Sequence, residues 1–282
     1  MLFAPGNDAE ATTRALHHAA ADAAILDLED TVPTAEKART RQFVRDAVDV
    51  PHTTKAYVRV NGVDTPWFFG DLEGIIGSGV DGVVLPKVGG ALEVYLADRF
   101  LTHLERERGL TAGSIDLLPL IETARGMVHL PEIAASRISR MRRLTFGAVD
   151  LSLDVGFTAT AEENELLFAR TRMAIYSRSG ELDPPIDTVY LDLQNTAGFE
   201  DGCRRARALG FQGRLCVHPD QVRVANRVFA PTPEELAWAR DVVTAFREAE
   251  ARGRAAVEVR GQFVDYPVVR RAERFLREAG QL

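Results

Sequence analysis

Residues 24–48 read AILDLEDTVPTAEKARTRQFVRDAV, and this stretch carries the pattern from which the fold is predicted. Its apolar run, Ala24–Leu28, is typical of a strand buried on both faces. Acidic residues and a proline follow, and Pro33–Val48 then repeats apolar residues at three- and four-residue spacing, which predicts a helix. A buried strand followed by an amphipathic helix indicates a βαβ unit of a parallel sheet.

The same alternation recurs along the chain. Strands are predicted at Leu2–Ala4, Ala24–Leu28, Ala56–Val60, Gly82–Pro86, Leu117–Ile121, Leu144–Gly147, Thr188–Asp192 and Leu215–Val217. Intervening helices include Asp8–Ala23, Pro33–Val48 and Phe199–Leu209. Eight alternations within about 220 residues predict a closed (β/α)₈ TIM barrel. A doubly wound sheet is the alternative, but Pro5-Gly6-Asn7 lacks the glycine-rich phosphate loop typical of that fold.

The pattern changes after residue 220, and we expect residues 1–220 to form the barrel and residues 221–282 an extension. The extension contains predicted helices at Pro219–Phe229, Pro233–Arg252 and Pro267–Ala279, with a hairpin at Arg260-Gly261. Thr232, followed three residues later by Glu235, predicts a capping box at the start of the second of these helices. A tail of this length exceeds one barrel helix, so we expect a lid or oligomer arm rather than an independent domain.

Composition narrows the function classes. The apolar content of 46% and the charged content of 27% are those of a globular chain. With 34 basic and 41 acidic residues the net charge is −7, which argues against general nucleic-acid binding. Cys203 and Cys216 are too few for a disulfide framework and indicate a reduced, cytoplasmic compartment. No apolar run approaches the roughly 18 residues of a membrane span, and residues 1–5 lack a basic leader.

Charged residues cluster at the predicted carboxyl ends of the strands, where the active sites of barrels form. They are Glu29, Asp30, Arg59, Lys87, Glu122, Arg125 and Asp150. Two carboxylates completed by waters are typical of a Mg²⁺ site, whereas zinc prefers the histidines and cysteines that are sparse here. Glu122 and Asp150, on neighbouring strand ends, are the predicted ligand pair. In the alternative interpretation each carboxylate merely caps the helix after its strand, and spacing alone does not decide between the two.

Two further rim residues have alternative interpretations. Lys87 ends the fourth predicted strand, where an aldolase could place a Schiff-base lysine, but an ion pair with Glu29, Asp30 or Glu122 is the favoured interpretation. His218 could contact substrate or cap the helix that begins at Pro219.

Eight motifs, in this order, resemble the citrate lyase beta chain family within the HpcH/HpaI aldolase superfamily. They are LFAPGN (2–7), ILDLED (25–30), RVN (59–61), VLPK (84–87), LIETA (120–124), FGAVDL (146–151), CVHP (216–219) and VDYPVV (264–269). The resemblance runs from residue 2 to about residue 275. It implies a TIM barrel, a trimeric or hexameric assembly, and Mg²⁺-dependent cleavage of a 3-hydroxyacyl thioester into an acyl thioester and an α-keto acid.

The resemblance also implies roles for individual residues. Glu122 and Asp150 would bind Mg²⁺, Arg59 would contact substrate, and Asp265 would act as acid/base and reach a neighbouring protomer's site. In the mechanism we expect, Glu29 and Asp30 hydrogen-bond the waters of the metal, with Lys87 beside them. By the same family analogy, the backbone of Val217 and His218 meets the adenine side of the thioester carrier.

The sequence departs from the family on its first helix. Coenzyme-A-using relatives carry lysines there, whereas this helix offers Glu10, Ala11 and a single Arg14. The carrier, coenzyme A or an acyl carrier protein, is therefore left open.

The function expected from all of this is a lyase of the citrate lyase beta type. A stand-alone malyl- or citramalyl-CoA lyase and a thioesterase are the enzymatic alternatives, and a non-catalytic binding or assembly subunit is the alternative of another class. Oxaloacetate, glyoxylate and pyruvate all remain candidates for the keto acid.

Overall fold

The computed structural model describes residues 1–17 and 20–282. The β-strands in this part of the chain are β1 Leu2–Pro5, β2 Ala23–Asp27, β3 Lys55–Arg59, β4 Gly82–Leu85, β5 Asp116–Ile121, β6 Thr145–Phe146, β7 Ile186–Asp187, β8 Gly213–Arg214, β9 Val257–Val259 and β10 Gln262–Val264. The α-helices are α1 Ala9–His17, α2 Lys37–Asp49, α3 Phe68–Ile75, α4 Ala91–Glu107, α5 Ala124–Val128, α6 Leu130–Ala134, α7 Ala148–Val155, α8 Leu167–Ser179, α9 Thr196–Ala208, α10 Pro219–Phe229, α11 Pro233–Ala251 and α12 Tyr266–Glu278.

The first eight strands form one parallel sheet in sequential order, β1 to β8. A parallel bridge between Leu2 and Cys216, just after β8, joins the last strand to the first. Two backbone hydrogen bonds support it, from Phe3 N to Cys216 O and from Cys216 N to Met1 O, both 2.8 Å. Side chains from several strands, among them Ile25, Leu118 and Ile186, fill the interior. This architecture confirms the predicted TIM barrel.

The bounds of the last two predicted barrel strands were wrong. The seventh strand is β7 rather than Thr188–Asp192, and Leu191, an apolar residue within the predicted strand, is exposed. The eighth strand is β8 rather than Leu215–Val217. In β7 the buried polar residue is Asp187, whose carboxylate pairs with Arg170, a partner that the local apolar pattern could not reveal.

The predicted helices differ from the structure mainly at their ends. The helix predicted at 8–23 is α1, and β2 already begins at Ala23; residues 18 and 19 of that prediction lie outside the described residues. A short 3-10 helix, Thr34–Glu36, replaces the first turn of the helix predicted at 33–48. α9 begins three residues earlier than predicted because the side chain of Asn195 caps it, accepting from Gly198 N.

The contacts divide the chain into two compact units, Met1–Asn226 and Arg227–Leu282. In the second unit, Thr232 and Glu235 form the predicted capping box at the start of α11. The predicted hairpin is also present, with β9 antiparallel to β10 and Arg260 and Gly261 both at positive φ. α11 and α12 pack on the hairpin through a small core of their own. None of the described helices has the length and apolar character needed to cross a bilayer.

Candidate active site

The carboxyl ends of β2 to β6 bring the predicted charged residues to one mouth of the barrel. Arg59 is the last residue of β3 and pairs in register with Asp27, the last residue of β2. Lys87 follows β4 by two residues, and Glu122 directly follows β5. Asp150 lies in the first turn of α7, immediately beyond β6. Because all these strands are parallel, their side chains meet on the same rim.

Arg59 is held rigidly by Asp27, a carboxylate that the motif pattern does not predict as a partner. Its Nε and Nη2 donate to the two carboxylate oxygens of Asp27, each at 2.7 Å. Asp27 is fully buried and also accepts from Thr31 Oγ1 at 2.7 Å. Burial by itself would raise the pKa of Asp27, but the hydrogen bonds and charge of Arg59 hold that pKa below its usual value. Asp27 therefore favours its ionised form and fixes two of the three guanidinium nitrogens of Arg59.

The sequence does contain a signal for Asp27. It is a carboxylate inside an otherwise apolar strand, and a buried carboxylate requires a cationic or hydrogen-bonding partner. The identity of that partner could not be read from the pattern.

Lys87 forms ion pairs, as the favoured interpretation predicted. Its Nζ contacts Glu29 Oε1, lies 3.3 Å from Asp30 Oδ2 and lies 3.5 Å from Asp150 Oδ1. Burial would lower the pKa of Lys87, but these carboxylates, Glu29 first among them, raise it overall. A Schiff-base lysine requires a neutral amine and hence a lowered pKa, so this environment is opposite to the one such a nucleophile needs.

Glu122 is a deeply buried carboxylic group with little to compensate its charge. It is 1% exposed, and its Oε1 accepts from Lys87 N at 2.9 Å. Gly147 packs directly against it: a Cβ at position 147 would lie 2.6 Å from Glu122 Cβ, so no side chain fits there. Burial and the negative charge of Asp150 raise the pKa of Glu122 to about 8. Such a group needs a proton or a cation to be stable.

These residues fit a divalent cation of the Mg²⁺ type. Within residues 1–17 and 20–282, no three or more Asp, Glu, His or Cys side chains converge as a metal-binding group, so Glu122 and Asp150 would supply two ligands. Mg²⁺ commonly takes one or two carboxylates and keeps several waters. Glu29 Oε2 is buried and, within the described chain, has no hydrogen-bond donor, since Arg59 Nη1 at 3.0 Å forms only an ion pair with it. That oxygen is available to accept from a water on the metal.

A second hydrogen-bond network fixes the backbone of the loop that carries Glu29. Lys37 Nζ donates to Leu28 O and Glu29 O, both at 2.9 Å, and Asn61 Nδ2 donates to Leu28 O at 3.1 Å. Asn61 is in turn held by Asp71 at 2.6 Å. Sequence reasoning missed Lys37 and Asp71, because neither belongs to a rim motif.

Val217 and His218 lie just beyond β8, at the start of α10. Val217 N donates to Gln221 Oε1 at 2.9 Å, and the exposed His218 ring accepts from Asp220 N through Nδ1 at 3.2 Å. The second contact is the helix-capping alternative for His218. Their predicted contact with a thioester carrier stays a prediction.

Asp265 belongs to the second unit. Its side chain caps α12 by accepting from Val268 N at 3.5 Å, and the residue is partly exposed. Its predicted acid/base role stays a prediction.

Two cavities open at opposite ends of the strands. One, of about 550 Å³, begins at Glu29, Asp30 and Lys87 and continues past Thr65 and Trp67. The other, of about 490 Å³, lies between the strand starts at Ala23, Lys55, Asp116, Ile186 and Gly213. Of these two, the first adjoins the charged rim described above, the end of the strands at which barrel active sites form.

Known proteins resemble this chain over nearly its full length. The citrate lyase subunit beta of Leuconostoc mesenteroides subsp. cremoris is 33% identical over 281 residues, covering 99% of this chain and 92% of that protein. The L-malyl-CoA/beta-methylmalyl-CoA lyase of Cereibacter sphaeroides is 32% identical over 300 residues, covering 99% and 93%.

A solved structure is also similar to this chain over nearly its full length. Protein CitE from Mycobacterium tuberculosis, in complex with magnesium, acetoacetate and coenzyme A, matches with a TM-score of 0.77 and 32% identity, covering 99% of this chain and 97% of that one. Residues 1–219 match the HpcH/HpaI aldolase/citrate lyase family. The family predicted from the ordered motifs is thereby confirmed: this chain belongs to the HpcH/HpaI aldolase/citrate lyase family.

Proposed function

We propose that this protein is a Mg²⁺-dependent carbon–carbon lyase that cleaves a 3-hydroxyacyl thioester into an acyl thioester and an α-keto acid. The observation that carries the proposal is Glu122, a buried carboxyl whose pKa is raised to about 8 beside a second carboxylate, Asp150. Strongly perturbed acids of this kind cluster at functional sites. The similar proteins named above, which are lyases or bind magnesium, point to the same chemistry.

Glu122 and Asp150 would hold the metal, and Glu29 and Asp30 would orient its waters. A divalent ion there supplies Lewis-acid chemistry, polarising the oxygens of the substrate and stabilising negative charge as it develops. Because Glu122 is buried, the cation also removes the energetic penalty of ionising its carboxyl group.

Arg59 would stabilise the charge that cleavage creates. Asp265, which we propose as the acid/base, would take the hydroxyl proton. The carbon–carbon bond would then break and its electron pair move to the thioester, giving an enolate and a keto acid. Asp27 holds Nε and Nη2 of Arg59, and Nη1 lies 3.0 Å from Glu29 Oε2. The guanidinium is thereby fixed at the rim, where it would face the enolate oxygen or the substrate carboxylate. A fixed, permanently charged donor stabilises such charge without reorganising during the reaction.

Asp265 would return a proton to the enolate carbon and so complete the acyl thioester. We propose that it does so in the active site of a neighbouring protomer of a trimer or hexamer. The test is to mix two inactive proteins, Glu122→Gln and Asp265→Asn, after subunit exchange. Recovered activity supports a shared site, because mixed oligomers contain some intact sites. No recovery, with exchange verified by mass spectrometry, contradicts it.

The thioester would enter past Val217 and His218, with coenzyme A or an acyl carrier protein as its carrier. On α1, Arg14 is paired with Glu10 at 3.4 Å, so this helix offers little positive charge to a phosphate. We propose a cytoplasmic location, in keeping with two buried free cysteines.

A panel of citryl-, malyl- and citramalyl-CoA tests the function, with the keto acid detected as its hydrazone. We expect keto-acid release that requires Mg²⁺ and disappears in EDTA. Release of free coenzyme A without keto acid identifies a thioesterase instead. Titration with oxaloacetate, glyoxylate and pyruvate, with and without Mg²⁺, addresses the assembly role: metal-independent binding together with no turnover would overturn the lyase proposal.

A further inference from the structure

Asp154 connects the two chain segments that carry Glu122 and Asp150. It lies on α7, one helical turn after Asp150, and its Oδ2 accepts a hydrogen bond from Ala124 N at 2.7 Å. Ala124 is the first residue of α5 and comes two residues after Glu122. The bond therefore links α7, which carries Asp150, to the segment directly after Glu122.

The position of Asp154 is unfavourable for its own helix and favourable for the neighbouring one. It lies in the last turn of α7, where the helix dipole disfavours a negative charge. Its carboxylate instead meets a backbone N–H in the first turn of α5, one of the donors without a partner inside that helix. The contact therefore joins α7 to α5 and restrains the distance between these two helices.

The other end of α7 is fixed independently. Thr188 Oγ1 accepts from Ala148 N at 2.8 Å in a buried contact, and Gly147 N donates to Ile121 O at 3.0 Å. With its start held by these bonds, the remaining freedom of α7 is at its far end, and Asp154 restrains that end.

We infer that Asp154 is a positioning residue that sets the separation of Glu122 and Asp150 and thereby the affinity of the site for a divalent cation. The inference rests on the proposed function, since it requires that Glu122 and Asp150 bind the metal. Partners that orient metal ligands typically affect metal affinity roughly 10- to 100-fold.

The experiment is a titration of the metal-free full-length protein with Mn²⁺, with free ion followed by electron paramagnetic resonance. We expect Asp154→Ala to raise the Mn²⁺ dissociation constant about 10-fold. Asp154→Asn keeps an acceptor oxygen, so its Mn²⁺ dissociation constant should lie between those of the unchanged protein and Asp154→Ala. The matched control is Asp192→Ala, because Asp192 also accepts from a backbone N–H in a rim loop, that of Gln194, but contacts neither ligand segment. It should bind like the unchanged protein.

The outcomes separate this inference from the proposed function. An Asp154→Ala protein that binds Mn²⁺ within twofold of the unchanged protein overturns the inference, even if its urea midpoint falls. An unchanged protein that shows no saturable Mn²⁺ binding, like Glu122→Gln, overturns both. If Asp154→Ala does not fold, Ala124→Pro removes the donor of the same bond at the first residue of α5, a position where helices accept proline. It should weaken Mn²⁺ binding by a similar factor; binding within twofold contradicts the inference.

Discussion

Two clusters of charged side chains in the first unit, one partly buried and one fully buried, differ in charge balance. The site cluster comprises Glu29, Arg59, Lys87, Glu122 and Asp150. The Glu163 cluster comprises Glu163, Arg170, Asp187 and Arg214. In the latter, Arg170 donates to both oxygens of Asp187, at 3.0 and 2.9 Å, and Glu163 pairs with Arg170 and Arg214 at 2.9 Å each.

The two glutamates at the centres of these clusters behave oppositely. Burial would raise the pKa of Glu163, but Arg214 and Arg170 hold it below its usual value. Burial and Asp150 raise the pKa of Glu122 to about 8, and the lowering effect of Arg59 does not compensate. Buried charge by itself therefore does not mark a functional site. An unmatched buried charge does, because it remains unstable until a ligand arrives.

Replacing Glu122 gives the largest expected effect. Glu122→Gln should lower kcat/KM at least about 1,000-fold, equivalent to roughly 4 kcal/mol of barrier, because one of two metal ligands is lost. Stability should not fall, since the amide removes an uncompensated buried charge. Steady-state kinetics and urea unfolding of the metal-free protein measure the two quantities.

The matched control for this substitution is Glu93→Gln. Glu93 is also a rim glutamate that accepts a backbone hydrogen bond, from Gly89 N at 2.7 Å, but it lies outside the site cluster. Its activity should stay within threefold of the unchanged protein. If Glu93→Gln loses as much activity as Glu122→Gln, the loss in Glu122→Gln does not reflect a role of the site cluster in the reaction.

A substitution in the Glu163 cluster should lower the stability of the protein rather than remove a catalytic group. Glu163→Ala leaves Arg170 and Arg214 with an incomplete set of anions, and breaking a buried pair costs about 3 to 5 kcal/mol. Urea unfolding measures the loss. Glu165→Ala is the control, since Glu165 lies two residues away and its carboxylate accepts from Thr160 Oγ1, at 3.0 Å through Oε2. A Glu163→Ala protein that loses less than about 1 kcal/mol would refute the structural assignment.

The contrast also explains what could be predicted from sequence. β1 to β6 are apolar enough to be located within one or two residues, and their carboxyl ends identify Glu122, Asp150, Arg59 and Lys87 without any knowledge of contacts. β7 was misplaced because Asp187 is polar and buried only through partners elsewhere in the chain.

The same limit applies inside the site. Asp27 and Arg59 are 32 residues apart and meet only through the β2–β3 register. The fit of Gly147 against Glu122 likewise depends on how β5 and β6 align. Composition and spacing predict which residues reach the rim, whereas cross-strand register decides which of them touch.

The pH dependence of stability distinguishes the clusters further. The folded-state pKa of Glu122 lies above the ordinary value of 4.5, so its contribution is fully present below pH 4.5 and is lost as the pH rises towards 8. In EDTA the free energy of unfolding should therefore decline by about 4 kcal/mol more in the unchanged protein than in Glu122→Gln over this range. Urea titrations at several pH values measure it. If the free energy of unfolding has the same pH dependence in both proteins, the pKa of Glu122 is not raised in the folded state.

Replacing Asp27 gives the smallest expected effect. Asp27 is a buried, fully paired carboxylate like those of the Glu163 cluster, but its partner, Arg59, belongs to the site cluster. Asp27→Asn retains the shape and one acceptor but loses the bidentate grip on Arg59. A misplaced Arg59 should lower kcat about 10- to 100-fold, or roughly 1.4 to 2.7 kcal/mol. Mn²⁺ affinity should remain unchanged, because Asp27 contacts neither Glu122 nor Asp150. If Mn²⁺ affinity falls together with kcat, Asp27 acts on the whole rim; if only kcat falls, it acts through Arg59 as proposed.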